Sequence, residues 1–313
     1  MRTIALNDMK KETTRSYIFY VAGLLMMLPF SLLAQFVVPP GKYVLFEEHR
    51  LYYYCQGEGD ATVLVEGGIG DASVNWLPIQ EALSKRMQVC LYDRGGYGMS
   101  DTGPGARTTE QIVAELYRLV KTAGVEGPYI IVGQSFGGFI AQYFARRFPE
   151  ETLGIVLVDS SHPDQVENLG ELDQYSSKSR TLVTGRYNVA TDEEDPWRKQ
   201  WHMLNSSRKA VFSQMDELKY FDVSASQVRE AGDMPNIPVA VLTRDQRLLP
   251  TLENNHSMEE VWREMQRDLA NSSERGWQVT VKGSGHNIHL DAPEAVIEAV
   301  NRVYDMSAVG TAN

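Results

Sequence analysis

The chain predicts an α/β fold, a mostly parallel eight-stranded sheet with helices on both faces. From Val44 onward, short apolar runs alternate with amphipathic stretches, the pattern of a sheet layered with helices. Each helical pattern follows a strand, as parallel neighbours require, because they can be joined only by a long crossover. The 313 residues suffice for one large domain with an insertion. The composition, 43% hydrophobic and 23% charged, is that of a globular protein, so no disordered tract or repeat need be accommodated.

Val44–Phe46 and Leu51–Cys55 read as an opening antiparallel pair, Thr62–Val65 as the first core strand and Gln88–Tyr92 as the next. Ile130–Val132, Ile155–Val158, Val239–Leu242 and Trp277–Val281 complete the sheet. Apolar residues recurring every three or four positions predict helices over 77–86, 109–124, 136–148, 256–271 and 292–305. About eighty residues, Ser161 to Pro238, separate two core strands that a short crossover could join. With Tyr175, Tyr187, Trp197, Trp201, Phe212, Tyr220 and Phe221, residues 161–238 read as a helical lid over the carboxyl edge of the sheet. A lid sets substrate choice and excludes water.

Residues 1–40 differ from the rest. Arg2, Lys10, Lys11 and Arg15 precede a run without charge from Ser16 to Pro40, long enough at about 1.5 Å per residue to cross a bilayer's hydrocarbon core. The segment is expected to be a signal peptide or a membrane anchor, with the basic leader left in the cytoplasm. Ala34 offers a small residue for cleavage but Leu32 does not, and a start at Met9 would give a segment closer to a bacterial signal peptide. Either reading places the catalytic domain outside the cytoplasm, periplasmic or extracellular. A net charge of −11 disfavours nucleic acid, anionic lipid and phosphate-rich substrates, all of which call for a basic surface.

The chemistry is concentrated in Gly133-Gln134-Ser135-Phe136-Gly137, preceded by Ile-Ile-Val and followed by an apolar helix. A G-x-S-x-G turn between strand and helix exposes Ser135 at a helix N-terminus as a nucleophile. A serine hydroxyl needs a base, and the base an orienting carboxylate. His286, in Gly283-Ser-Gly285-His286 just past the last strand, is the expected base. His289 competes for that role, or could form a metal pair with His286 and Asp291, although no further ligand stands at metal-site spacing. For the acid, Asp245, a short step past the seventh strand, is favoured over Asp159, which ends the sixth. The oxyanion hole needs two backbone donors: the N–H of Phe136, and that of Ile69 or Gly68 in the glycine-rich turn Glu66–Asp71.

From about residue 43 to 305 the chain resembles the α/β-hydrolase superfamily, in its esterase and haloperoxidase-like serine hydrolase branch. Gly133-Gln-Ser-Phe-Gly137, Gly285-His286 and Asp93-Arg94-Gly95-Gly96-Tyr97-Gly98-Met99-Ser100 carry the resemblance, the last matching a turn that is mainly architectural in the family. There are three departures. Gln134 stands where the family often has His, Gly67-Gly68 where many members have His-Gly, and Thr243-Arg244 breaks the G-x-x-D pattern expected before the acid. The resemblance implies the α/β-hydrolase fold, with the core in residues 41–160 and 239–313 and strand order 1-2-4-3-5-6-7-8. That order makes the strands of Cys55 and Cys90 neighbours and leaves both a disulfide and two buried thiols open.

The expected function is cleavage of a small to medium neutral ester through an acyl-enzyme, with no cofactor and no metal. Within enzymes the alternatives are amide, lactone or carbon–carbon bond hydrolysis. From other classes come a non-catalytic small-ligand-binding protein of the same fold and a membrane-tethered scaffold, both of which predict an unreactive Ser135.

Overall fold

Strand alternation builds the sheet. In β3 (Thr62–Glu66), β5 (Tyr129–Gln134), β6 (Thr152–Val158) and β7 (Val239–Arg244) nearly every residue is buried, because both faces are covered. Leu64, Ile131, Leu157 and Val241 point into one apolar layer, and Val63, Val132, Val156 and Ala240 into the other. The computed structural model describes residues 40–71, 73–169, 199, 203–245 and 255–311. The chain divides into two units, Met1–Pro39 and Pro40–Asn313. The first, with the expected signal peptide or anchor, lies outside the described residues. Among the described residues, no helix is long and apolar enough to cross a membrane.

The sheet has eight strands in the order β1-β2-β4-β3-β5-β6-β7-β8, as the resemblance implied. β1 (Lys42–Leu45), β2 (Arg50–Gln56) and β4 (Gln88–Tyr92) pair antiparallel, and the remaining pairs, from β4·β3 to β7·β8 (Gly276–Val281), are parallel. Cys55 and Cys90 sit directly opposite each other in β2 and β4 and form a disulfide, with Cα atoms 4.0 Å apart.

The helices follow from the apolar spacing. One layer is covered by α1 (Leu77–Leu83), which has proline in its first turn, and by a long C-terminal helix, Pro293–Thr311. The other is covered by α2 (Thr109–Ala123), α3 (Gly137–Arg147) and, after the short α4 (Gln165–Leu169), part of the segment between β6 and β7. The Oγ1 of Thr108 accepts from the N–H of Gln111 at the start of α2, and Gly124 ends it in the left-handed conformation, φ 67°.

Between β6 and β7, the described residues include α5 (Arg208–Lys219) and α6 (Phe221–Glu230). Residues 170–198 and 200–202 lie outside the described part, with Tyr175, Tyr187, Trp197 and Trp201 among them. Phe221 is buried, whereas Phe212 is 58% exposed. α5 is fastened to the turn after β4: Lys209 Nζ donates to the carbonyl of Gly98 at 2.8 Å, and Asp216 accepts the N–H of Arg107 at 2.9 Å. Beyond β7, α7 (Asn255–Asn271) leads into β8, and α8 (Ile288–Asp291) precedes the C-terminal helix, α9.

Candidate active site

Ser135 occupies the residue between β5 and the first turn of α3 with φ 52°, a left-handed conformation that costs a non-glycine residue about 1–3 kcal/mol. Its surroundings impose it. The N–H of Ser135 donates to Val158 O at 3.2 Å, and its carbonyl accepts from Gly138 N and Ser161 N at 2.9 Å each. The flanking glycines answer to close approach: a Cβ on Gly133 would lie 2.4 Å from Gly137 O, and one on Gly137 2.2 Å from Glu66 O. The side chain of Ser135 is partly exposed above this floor.

His286 follows β8 on the expected loop, its side chain 30% exposed. Its Nδ1 lies 2.6 Å from Oδ2 of Asp159, not from Asp245. Asp159 is fully buried at the end of β6 with φ 43°. Its Oδ2 also accepts from Arg244 Nη1 at 2.7 Å, and its Oδ1 from Arg244 N at 3.2 Å and Trp262 Nε1 at 2.8 Å. Burial pushes this carboxyl up, but Arg244, His286 and Trp262 together outweigh it and hold the pKa at about 2. An ionised carboxylate can only accept, so His286 carries its proton on Nδ1 and presents the lone pair of Nε2.

The preference for Asp245 is therefore corrected. Asp245 is exposed; its Oδ2 accepts the N–H of Gly283 at 3.1 Å, and its own N–H donates to Ser284 O at 3.2 Å. It ties the end of β7 to the loop that carries His286. The residue before it, Arg244, turns into the protein and pairs with both Asp159 and Glu259, the latter at 3.1 Å. Arg244, Trp262 and Glu259 were not singled out from the sequence. Arg244 stands at the break in the family pattern at Thr243-Arg244, whereas nothing in the local pattern marked Trp262 or Glu259.

The donors expected for an oxyanion are sorted by their partners. The N–H of Gly68 donates to Oε1 of Gln134 at 2.9 Å and is already used, which corrects its candidacy. Arg94 takes the carbonyls of Gly67 and Gly68 at 2.6 and 2.8 Å, and the N–H of Gly70 donates to Tyr97 Oη at 3.1 Å. Ile69, between these fixed points, and Phe136, at the elbow, keep their N–H groups without an acceptor among the described residues. Gln134 is itself completely buried, and its Nε2 donates to His286 O at 3.4 Å.

Arg94 links this loop to α5. It lies against Glu217 at 2.9 Å and Glu66 at 3.4 Å, with all three side chains almost inaccessible, and Tyr97 Oη donates to Glu217 at 2.7 Å. Burial lifts the Glu66 carboxyl to about 7 despite Arg94 and a hydrogen bond from Tyr92 Oη. The Asp93–Ser100 turn is thus architectural, its arginine holding the glycine-rich loop in shape.

His289 is buried with its ring stacked on Trp76 at 4.3 Å, and its Nε2 lies 3.4 Å from Asp71 Oδ2. Asp291 accepts the N–H of Gly285 at 2.7 Å. No cluster of His, Cys, Asp and Glu that could hold a metal ion occurs among the described residues. Neither the rival base nor the metal pair is assembled by this geometry.

Comparison with known proteins agrees with the fold. The family model for the α/β hydrolase fold matches residues 61–293. The chain is 27% identical over 250 residues to an uncharacterized protein, YqjL, of Bacillus subtilis, covering 80% of this chain and 85% of that one. Among solved structures it is similar to a probable hydrolytic enzyme from Pseudomonas aeruginosa (TM-score 0.64, 17% identity, 84% and 94% of the two chains). It is also similar to an enol-lactonase from Burkholderia xenovorans (TM-score 0.60, 18% identity, 84% and 100%). With the family model spanning most of the chain and the eight-stranded sheet in this order, the chain belongs to the α/β-hydrolase superfamily.

Proposed function

We propose that this hydrolase cleaves small to medium neutral esters through an acyl-enzyme on Ser135, with His286 as base and Asp159 as its orienting acid. The observation that carries the reading is the pairing of His286 Nδ1 with the ionised Asp159, which frees Nε2 to take a proton, in a fold that also holds Ser135 in a strained elbow. In this mechanism Nε2 takes the Ser135 proton as Oγ attacks the acyl carbonyl. The N–H groups of Phe136 and Ile69 hold the oxyanion, and the protonated imidazole then gives its proton to the leaving alcohol. Water, activated by the same imidazole, releases the acid. Asp159, kept anionic by Arg244, stabilises the imidazolium between these steps.

The segment between β6 and β7 serves as the lid in this reading, and Phe221, 5.9 Å from Phe136 between ring centroids, supports that role. In this reading the domain lies outside the cytoplasm, exported or anchored by the apolar run between Ser16 and Pro40. The Cys55–Cys90 bond supports an oxidising compartment. Cell fractionation of the full chain tests that placement, and recovery in the cytoplasm would overturn it.

The enzymatic test is a fluorophosphonate probe with mapping of the modified peptide, together with p-nitrophenyl esters of increasing chain length. An adduct on Ser135 with ester turnover is expected. A folded protein without adduct or turnover would replace the hydrolase with a binding protein of the same fold.

A further inference from the structure

We infer that Gln134 is a positioning residue: its side-chain amide sets the Gly67–Gly70 loop against the loop of His286, so that the Ile69 N–H and His286 Nε2 address one carbonyl at Ser135. This inference rests on the acyl-enzyme reading above. It starts from an amide with two different ends. Oε1 can only accept, and it meets the N–H of Gly68 at 2.9 Å; Nε2 can only donate, and it meets the carbonyl of His286 at 3.4 Å. Gln134 adjoins Ser135 in sequence, so one buried side chain joins three pieces of the site: the elbow, the oxyanion loop and the base loop.

The two arms are unequal. A separation of 2.9 Å is an ordinary hydrogen bond, and 3.4 Å a long one, so the oxyanion-loop arm dominates. The loop is otherwise held from the far side, by Arg94 on the Gly67 and Gly68 carbonyls and by Tyr97 and Asn205 on Gly70. Those contacts pull the loop toward α5 and the turn after β4. Gln134, next to Ser135 in the chain, holds it from the elbow side. With the Gly68 N–H turned to Gln134, the next donor along the loop, that of Ile69, is left for the substrate. Gly68 is shaped for this contact as well, since a Cβ there would lie 2.4 Å from Gln134 Oε1 and 3.1 Å from Ser135 Cβ.

The test uses the full chain and reads three quantities: kcat against KM on a p-nitrophenyl ester, inhibition by a trifluoromethyl ketone, and Tm. The ketone forms a tetrahedral adduct on the serine and needs both the base and the oxyanion donors. Removing one direct oxyanion donor costs about 100- to 1000-fold in kcat, so displacing one by loss of its support is expected to cost about 10- to 100-fold. Gln134→Met should lower kcat by that factor and weaken the ketone in parallel, with KM within about threefold, the pattern of an interaction made only in the transition state. Gln134→Glu keeps the acceptor for Gly68 and should lose less. Gly68→Ala, on the facing loop, should reproduce the Met variant and decides the matter if that variant does not fold. Retention of kcat and ketone affinity within twofold in folded Gln134→Met or Gly68→Ala, while wild type forms its Ser135 adduct, overturns this inference alone. Wild type without an adduct overturns the acyl-enzyme reading and this inference with it.

Discussion

Nδ1 of His286 lies 2.6 Å from Oδ2 of Asp159, while the carboxylate of Asp245, just past the neighbouring strand, accepts the N–H of Gly283 in the base loop. One carboxylate orients the ring and the other shapes the turn that carries it. Asp159→Asn should therefore lower kcat by about 10⁴-fold, because an amide can stabilise the wrong tautomer and no imidazolium. Asp245→Asn should cost less than tenfold. Steady-state kinetics of the two variants separate the roles, and equal losses would contradict the assignment.

The buried pair of Arg94 and Glu217 joins α5 to the glycine-rich loop. Removing the carboxylate in Glu217→Leu leaves the guanidinium with Glu66 alone and is expected to cost about 3–5 kcal/mol, the range for breaking one partner of a buried pair. Guanidinium denaturation measures it. Activity should fall more steeply than the folded fraction, because the same guanidinium holds the Gly67 and Gly68 carbonyls.

Glu66 introduces a pH dependence of stability. Its folded pKa, about 7, lies above the value of about 4.3 expected in an unfolded chain, so the folded state binds the proton more tightly. The contribution is fully present below the unfolded value and is lost as pH rises through 7. Unfolding free energy should decline by on the order of 3 kcal/mol between pH 4.5 and 8 from this group, and Glu66→Gln should flatten that slope. Denaturant titrations of wild type and variant across this range check the sign; a rise in the wild-type value that the variant abolishes would refute it.

The Cys55–Cys90 bond constrains the unfolded chain across a separation of 35 residues. By the loop-entropy relation its loss should cost about 3–4 kcal/mol. The double variant Cys55→Ser, Cys90→Ser, and wild type under dithiothreitol, should show matching drops in denaturation midpoint, with ester turnover retained below that midpoint.

Ser135 and His286 were legible as the candidate nucleophile and base because each is announced by short-range chemistry. Gly133-Gln-Ser-Phe-Gly137 can make only a tight strand-to-helix turn after an apolar strand, and His286 stands in a glycine-flanked loop between the last strand and the last long helix. The strands were legible too, since continuous burial on both faces forces unbroken apolar runs at 63–65, 130–132, 155–158 and 239–242. The acid was not. Asp159 and Asp245 both follow a strand, on neighbouring β6 and β7, and local pattern does not tell which carboxylate faces the imidazole.

The fold class was written in the sequence, which also put forward Ser135 and His286 as candidate nucleophile and base and named the candidates for acid and oxyanion donors, because hydrophobic period and turn stereochemistry act over a few residues. Only the tertiary structure decided that Arg244 turns inward to claim Asp159, that Gln134 takes the N–H of Gly68, and that Glu217 reaches Arg94 across 123 positions. Those choices depend on which buried polar groups satisfy one another across the sheet edge, and hydrogen-bond pairing between distant segments leaves no period in the chain.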